Sequence, residues 1–383
     1  VSLLWAKRGW LTPGSQTLRT LERFGATDAW DFVDNSYMRA GVVTTNAGLT
    51  VTRASEGYAQ REDGIWVNFA SGALRRTDRG LLVEGARTNR ALHSRDLTQA
   101  AWTATNITVA RNQVGIDGLA NTACSLTATA GNGTVLQAVT DASKARYFSV
   151  WIKRITGTGT VEVTLDNGST WTAVTVTSAY TRVGATQTLA NPTVGVRLVT
   201  DTDAVAVDFA QLEDGAFPTS PIVTAGSSAT RAADEVTAAQ TTAYSASIYG
   251  EFSQDVLTGS VNNRIFQIDG GSVSNRSSLY LNTNQVTYRV STSGSNVATM
   301  AVSGAISPGV VYKTAGRTKL DDVRVYRNGT QGTQDTSAAL PATATTARFG
   351  VGVTTGEELD GYLRRAAVIP LALTDAQLQA ITT

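Results

Sequence analysis

Between Thr134 and Leu212, short runs of alternating apolar and polar residues follow one another, each closed by turn-forming text. The runs are Thr134–Val139, Tyr147–Lys153, Val161–Leu165, Trp171–Val176, Val194–Val199 and Val205–Leu212. A period of two sends successive side chains to opposite faces, so each run reads as a half-buried strand. Thr156-Gly-Thr-Gly159 and Asp166-Asn-Gly-Ser169 read as hairpin turns, because Gly and Asn accept the positive φ that tight turns require. Short strands at this spacing predict a β-sandwich or jelly roll rather than a helical or βαβ body.

A second series follows from residue 244, with Tyr244–Phe252, Asn263–Ile268, Ser278–Leu281, Gln285–Val290 and Asp322–Gly329 as its strands. The end, Leu371-Ala-Leu-Thr-Asp-Ala-Gln-Leu378, predicts a short helix in which Thr374 and Gln377 form a capping box and Leu378 and Ile381 turn inward. No fixed-period repeat of the solenoid or propeller kind is present. Residues 1–90 differ in texture. They hold Trp5, Trp10, Trp30 and Trp66, four of the chain's seven tryptophans, so they are not a disordered tail. Ser15 to Gly25 predicts a helix with Leu18, Leu21 and Phe24 on one face, and Leu49–Ser55 and Gly64–Phe69 predict strands. The fold class is therefore all-β, with two β-sandwich modules preceded by a small mixed N-terminal region. The expected domains are 1–90, 91–223, a linker over 224–243 rich in small polar residues, and 244–383.

Composition removes several function classes. The 32 Lys+Arg and 31 Asp+Glu leave a formal charge of +1, with no block of like charge to attract nucleic acid or an anionic membrane. No apolar run reaches the roughly 20 residues of a bilayer span. The start, Val1-Ser-Leu-Leu-Trp-Ala-Lys-Arg8, has no basic lead before a long apolar core, so no secretory signal is expected. The expected origin is a cytoplasm, with release inside a particle on lysis. The single cysteine, Cys124, excludes an intrachain disulfide and a thiolate metal cluster, and it is expected to be a small buried residue. The single histidine, His93, leaves little room for imidazole catalysis.

Glycosidases need two carboxylates facing one cleft. The nearest text, Glu357-Glu-Leu-Asp360, falls in a turn and is one carboxylate short of the glucanase strand pattern. Glu162 with Asp166, and Asp201, Asp203 and Asp208, read as solvated faces. No phosphate loop and no G-x-S-x-G elbow is present. The chain is thus read as a non-enzyme. No cofactor is expected, with Ca²⁺ at the oxygen-rich turns Asp166-Asn-Gly, Asp269-Gly-Gly and Asp321-Asp322 as the one alternative weighed. Sugar binding uses aromatic faces with planar polar side chains beside them. The candidates are Trp171, Tyr180 and Arg182 in the first module and Tyr280, Asn282, Tyr288 and Arg289 in the second. Trp151 is assigned to a core or an inter-module contact.

One family resemblance runs through these segments. Gly80-Leu-Leu-Val-Glu-Gly-Ala-Arg-Thr-Asn89 with Ser94–Trp102 resembles a junction in phage and prophage structural proteins, and Thr52-Arg-Ala-Ser55 and Gly72-Ala-Leu-Arg75 precede it in the same order. Phe148–Lys153, Val205–Gly215 and Phe217–Thr224 resemble the carbohydrate-binding-module-like jelly rolls of those proteins. Thr230-Arg-Ala-Ala-Asp234 is similar to their inter-module joint. Val323–Gly329, Ala347–Gly352, Leu359–Leu363 and Leu371–Leu378 resemble a laminin-G or concanavalin A-like jelly roll. The resemblance implies a virion protein, a tail fibre, tail spike or head-attached spike or fibre. Its residues 1–90 would anchor it to tail, baseplate or capsid proteins, and its jelly rolls would adsorb to host-surface polysaccharide. A homotrimer is implied by analogy with fibres. Alternatives are a capsule-degrading depolymerase, a passive decoration or connector without ligand, and a secreted cell-surface lectin.

Overall fold

A computed structural model describes residues 16–240, 246–341 and 344–383. Trp5, Trp10, the expected cap Ser15 and the expected strand start Tyr244 lie outside the described residues. The described residues are mostly antiparallel β-structure with two short helices, and the chain divides into two compact units, neither continuous in sequence.

One unit spans Ala54–Ser71 and Ala86–Ala232. It is a sandwich of two five-stranded sheets. The first runs Thr103–Thr105, Gly133–Ala138, Thr193–Leu198, Val161–Thr164, Thr172–Val174; the second runs Ile107–Gln113, Ala123–Ala128, Ala204–Asp214, Lys144–Thr156, Thr181–Leu189. Inward residues Leu126, Val135, Phe148, Val150, Val196 and Val207 fill the space between them, as the alternation predicts. Cys124 is fully buried in this core, and burial pushes its thiol up to about 11. Thr156-Gly-Thr-Gly159 does not make a hairpin. It carries the chain from one sheet to the other, because Lys144–Thr156 pairs only with strands of the second sheet. The turn at Asp166 does join two paired strands.

The other unit takes Gly72–Gly85, Ala233–Thr383 and the described residues up to Arg53. Its larger sheet has the order Thr330–Asp335, Asp322–Arg327, Tyr312–Lys319, Ser247–Ser253, Gly361–Ile369, Asp28–Asp31, Ser36–Arg39, Val42–Thr44, with Gly80–Val83 also pairing to Gly361–Ile369. Its seven-stranded sheet has the order Ser295–Ala301, Gln285–Thr292, Arg276–Asn282, Val261–Asp269, Thr346–Phe349, Glu235–Ala239, Leu49–Thr52. Between the two sheets lie Phe252, Phe266, Leu279, Tyr288, Phe349 and Leu363. Asn328-Gly329, both at positive φ, turn the hairpin that the sequence marks there. The helices α1 (Gln16–Arg23) and α2 (Asp375–Thr382) lay Leu18, Leu21, Leu378 and Ile381 on the outside of the larger sheet. The capping box of Thr374 and Gln377 is formed.

These pairings correct the expected domain limits. The described residues before 91 do not form a unit of their own. Asp28–Asp31 pairs with Gly361–Ile369, and Leu49–Thr52 pairs with Glu235–Ala239. Trp30, Phe32, Leu81 and Val83 are buried in the same core as Phe252 and Phe349. The hairpin Gly57–Gln60 with Trp66–Phe69 belongs instead to the other unit, where Trp66 meets Trp151 edge-on and Tyr58 meets Phe209. The physical reason is that a few aromatic-rich strands bury too little surface on their own, and each finds its missing apolar partners in a sandwich. The described part of the expected linker, 224–240, is bonded into the units. Ala229–Arg231 pairs with Arg87–Asn89, Thr224 accepts from Ser94 N and donates to Ala91 O, and Glu235–Ala239 is paired on both sides in its sheet.

The segments that carry the family resemblance are structural locks within each unit. In the larger-sheet unit, Asp234 and Glu84 bind two buried arginines: Arg53 Nη1 lies 2.9 Å from Asp234 Oδ1, Arg75 Nη1 lies 2.7 Å from Glu84 Oε2, and Arg75 also donates to Asp234. Burial opposes the charge on Arg75, but Asp234 and Glu84 outweigh it and hold the guanidinium pKa above its ordinary value. In the five-stranded-sheet unit, Asn89 bonds the backbone of Ala91, Ala210, Leu212 and Ile222, and Arg231 reaches Thr219 and Ser220.

Candidate functional site

In the seven-stranded sheet, alternation sorts the side chains into an apolar inner face and a polar outer one. Leu279 and Leu281 of Arg276–Asn282 enter the core, so Arg276, Ser278 and Tyr280 face outward. Val286, Tyr288 and Val290 of the next strand point inward, leaving Thr287, Arg289 and Ser291 outward. Across the strands Ser278 lies opposite Arg289 on one side and Gln267 on the other, and Arg264 lies opposite Tyr280. Arg348 lies opposite Gln267 on the far side of that strand.

The result is a connected polar layer. Arg264 donates from Nε to Gln267 Oε1 (3.0 Å) and from Nη2 to Glu357 Oε1 (2.9 Å). Gln267 Nε2 and Arg348 Nε both donate to Asp269 Oδ2, at 2.9 and 2.8 Å. Arg289 Nη2 donates to Tyr280 Oη at 2.7 Å, and the guanidiniums of Arg264 and Arg289 lie 5.0 and 4.6 Å from the Tyr280 ring centroid. The centre of this face is buried at Arg264, Gln267, Asp269, Ser278 and Tyr280. Its flanks are exposed at Thr299 and Asn296 on one side and at Glu235 and Thr50 on the other.

The candidates from sequence separate cleanly here. Tyr280 and Arg289 come together on this face. Asn282 is exposed at the end of the same strand, beside the Thr283-Asn284 turn. Tyr288 is a correction: it is wholly buried between the sheets, its hydroxyl 2.7 Å from Thr318 Oγ1, and cannot meet a ligand on the outer face. Tyr180 and Arg182 are also corrections. Tyr180 packs with Trp66, Trp151 and Phe209 and donates to Val114 O, while Arg182 bonds Ser149 Oγ and Thr219 O. In that unit the sheet face bearing Trp151 is thus packed by the unit's own hairpin. Trp171 is half-exposed, with the Arg197 guanidinium 4.2 Å from its ring centroid, and Arg197 is held by Glu162. The sequence reading missed Arg264, Arg276 and Gln267, and it weighed Asp269 and Glu357 only as a turn oxygen and a glycosidase carboxylate. Lone arginines in alternating strands look like solvated positions, and only the pairing register shows that they meet.

Carboxylates elsewhere are accounted for by protein donors. Asp203 and Asp208 are buried rather than solvated, held by Arg154 and Arg95. Glu358 accepts from Gly356 N and Asp360 from Gly85 N. Asp269 is taken up as above and Asp322 by Arg317 and Arg324. Among the described residues, no three His, Cys, Asp or Glu side chains cluster as metal ligands would. At the Asp166 turn, burial works to raise the carboxyl, but hydrogen bonds from Thr170, Gln187 and Thr164 outweigh it and hold the group down to about 2. A depressed acid stabilises the fold above its unfolded value near 3.8, and that contribution is lost as pH falls through about 2. Carboxyl-carbon NMR should therefore show Asp166 titrating near pH 2; a midpoint near 4 would mean the turn network does not form.

A concavity of about 280 Å³, over the larger sheet beside α1 and α2, is floored by Tyr249, Glu251, Lys313 and Arg365. Glu251 already accepts from Tyr249, Arg364 and Arg365, and Lys313 donates to Thr383 O, so the floor presents a satisfied network.

No protein-family model matches the chain. No curated protein matches its sequence. Solved structures with similarity include the carbohydrate-binding module of the Ruminococcus gnavus IT-sialidase bound to α2,3-sialyllactose. It is 16% identical over 36% of this chain and 82% of that one, with a TM-score of 0.31. The CBM22-1 xylan-binding domain of Paenibacillus barcinonensis Xyn10C is 14% identical over 36% of this chain and 94% of that one, at 0.25. A pentraxin of Limulus polyphemus is 14% identical over 36% and 69%, at 0.27. At these scores the likeness bears on neither ligand nor role.

Proposed function

We propose that the chain is a non-catalytic structural component of a phage or phage-derived particle, a tail fibre, tail spike or head-attached spike or fibre, whose β-sandwich units adsorb to host-surface glycan. The observation that carries the glycan reading is the outer face of the seven-stranded sheet. It carries the half-buried Arg289 and Arg348 over a buried layer of Tyr280 and Gln267, planar polar and aromatic groups of the kind that sugar recognition uses. Asp269 and Glu357 on that face are each held by an arginine, which argues against their serving as a glycosidase's acid and base. The virion role rests on the segments of phage-like text. Since Glu84, Arg75, Arg53 and Asp234 are locks inside one unit, attachment falls to other surfaces of the chain. Weak single sites gain avidity when several copies share one particle, which fits a homo-oligomer, a trimer by analogy with fibres.

Two measurements test this reading. Mass spectrometry of purified particles should find the chain, and a glycan array probed with the assembled protein should give a small set of related sugars without releasing product. A blank array would leave a passive connector; sugar release would make it a depolymerase.

A further inference from the structure

We infer that the polar face of the seven-stranded sheet is a site for an acidic sugar, whose anionic group is received by Arg276, Arg289 and Ser278. The inference rests on the glycan reading above and names the ligand class for that same face. Three donors lack acceptors there: Arg276 Nη1, Arg289 Nε and Ser278 Oγ have no hydrogen-bond partner among the described residues. Ser278 is fully buried and Arg276 is 7% exposed, so neither is turned out to solvent. Buried unpaired donors cost about 1–3 kcal/mol each, and folded proteins seldom leave several together.

The register brings the three to one place. Ser278 is the direct cross-strand partner of Arg289, and Arg276 lies two residues from Ser278 on the same face. The charges are also uneven. Arg264 has Glu357, but Arg276 and Arg289 have no carboxylate in ion-pair range among the described residues: Arg276 Nε reaches Ser291 Oγ, and Arg289 reaches the Tyr280 hydroxyl. Burial lowers the pKa of Arg276, the Glu357 carboxylate opposes that shift, and Arg289 beside it adds to it. Arg264 is depressed to about 10, by burial first and then by Arg276 and Arg289, with Glu357 opposing. A planar carboxylate or a sulfate ester matches guanidinium N–H groups in geometry as well as charge. Tyr280, with Arg264 and Arg289 near its ring, holds the Arg289 fork in place before any ligand arrives. The half-buried Arg289 and the exposed Thr299 opposite it give the approach from the sheet flank.

The test titrates the full chain with a panel of acidic oligosaccharides, uronate-bearing and sulfated, each matched to its carboxyl-reduced or desulfated form. Inorganic sulfate is the free-anion arm. The expected result is an acidic member bound at least ten-fold more tightly than its neutral match and than sulfate. Arg276→Gln should cost at least ten-fold, and Arg289→Lys, which keeps the charge but removes Nε, should cost less than Arg289→Gln. Melting of each variant by circular dichroism separates loss of binding from loss of fold. Equal binding of acidic and neutral partners overturns the acidic site and leaves glycan binding standing. Sulfate that competes as well as the saccharide overturns it too. A panel with no binder overturns both readings.

Discussion

Replacing Asp234 with Ala is expected to destabilise the larger-sheet unit by about 3–5 kcal/mol, the cost of breaking a buried ion pair by removing one partner. Arg53 and Arg75 are both buried; Asp234 pairs with Arg53 from Oδ1 and with Arg75 from Oδ2, and Glu84 pairs with Arg75. Asp234 also accepts from Glu84 N, so the substitution leaves a backbone donor without its acceptor. For a unit of this size the loss corresponds to a melting temperature lower by roughly 6–20 °C. Glu84→Gln should cost less, since Arg75 keeps Asp234 and a neutral amide can still accept. Calorimetry on the full chain would resolve the effect, with the other unit's transition as the internal reference. An Asp234→Ala chain that melts unchanged would mean that the arginines are hydrated rather than locked.

Trp30→Ala should cost a further large amount, about 3–5 kcal/mol, in the same unit. Trp30 is fully buried, its ring meets Phe349 edge-on at 4.6 Å and Phe266 at 6.2 Å, and Nε1 donates to Ala47 O at 2.8 Å. Phe266 and Phe349 stand on the facing seven-stranded sheet, so truncation opens a cavity across the sandwich. The measurement also decides how the N-terminal strands belong. If residues 1–90 were independent, the melting of the unit built on Ser247–Ser253 and Gly361–Ile369 would not respond to a change at Trp30.

Alternation along the chain marked most strands and their two faces, and the capping box of Thr374 and Gln377 marked α2. It could not give partners across long separations. Asp31 bonds Arg365 at a distance of 334 residues, and nothing near Asp31 announces that. The 1–90 region therefore looked self-contained, although Trp30 and Val83 belong to one sandwich and Trp66 to the other. The site was half legible for a related reason. Tyr280 and Arg289 sit on adjacent strands, and a two-residue turn at Thr283-Asn284 pairs Asn282 with Gln285. That register already sends Tyr288 to the opposite face from Tyr280, so its placement could have been worked out from the turn alone. Arg264, Arg276 and Glu357 offered no such handle, since their convergence depends on a bulge near Ile265 and on a loop returning from Gly356. Asp203 and Asp208 show the converse limit: a carboxylate beside a loop looks solvated until its arginine partner is found.

A crystal structure of the full chain with the tightest-binding oligosaccharide from the array would locate the site. Saccharide density is expected on the outer face of the seven-stranded sheet, against Arg276, Ser278, Tyr280 and Arg289. Density confined to the Trp171 edge or to the concavity beside α1, with that sheet face bare, would contradict that placement.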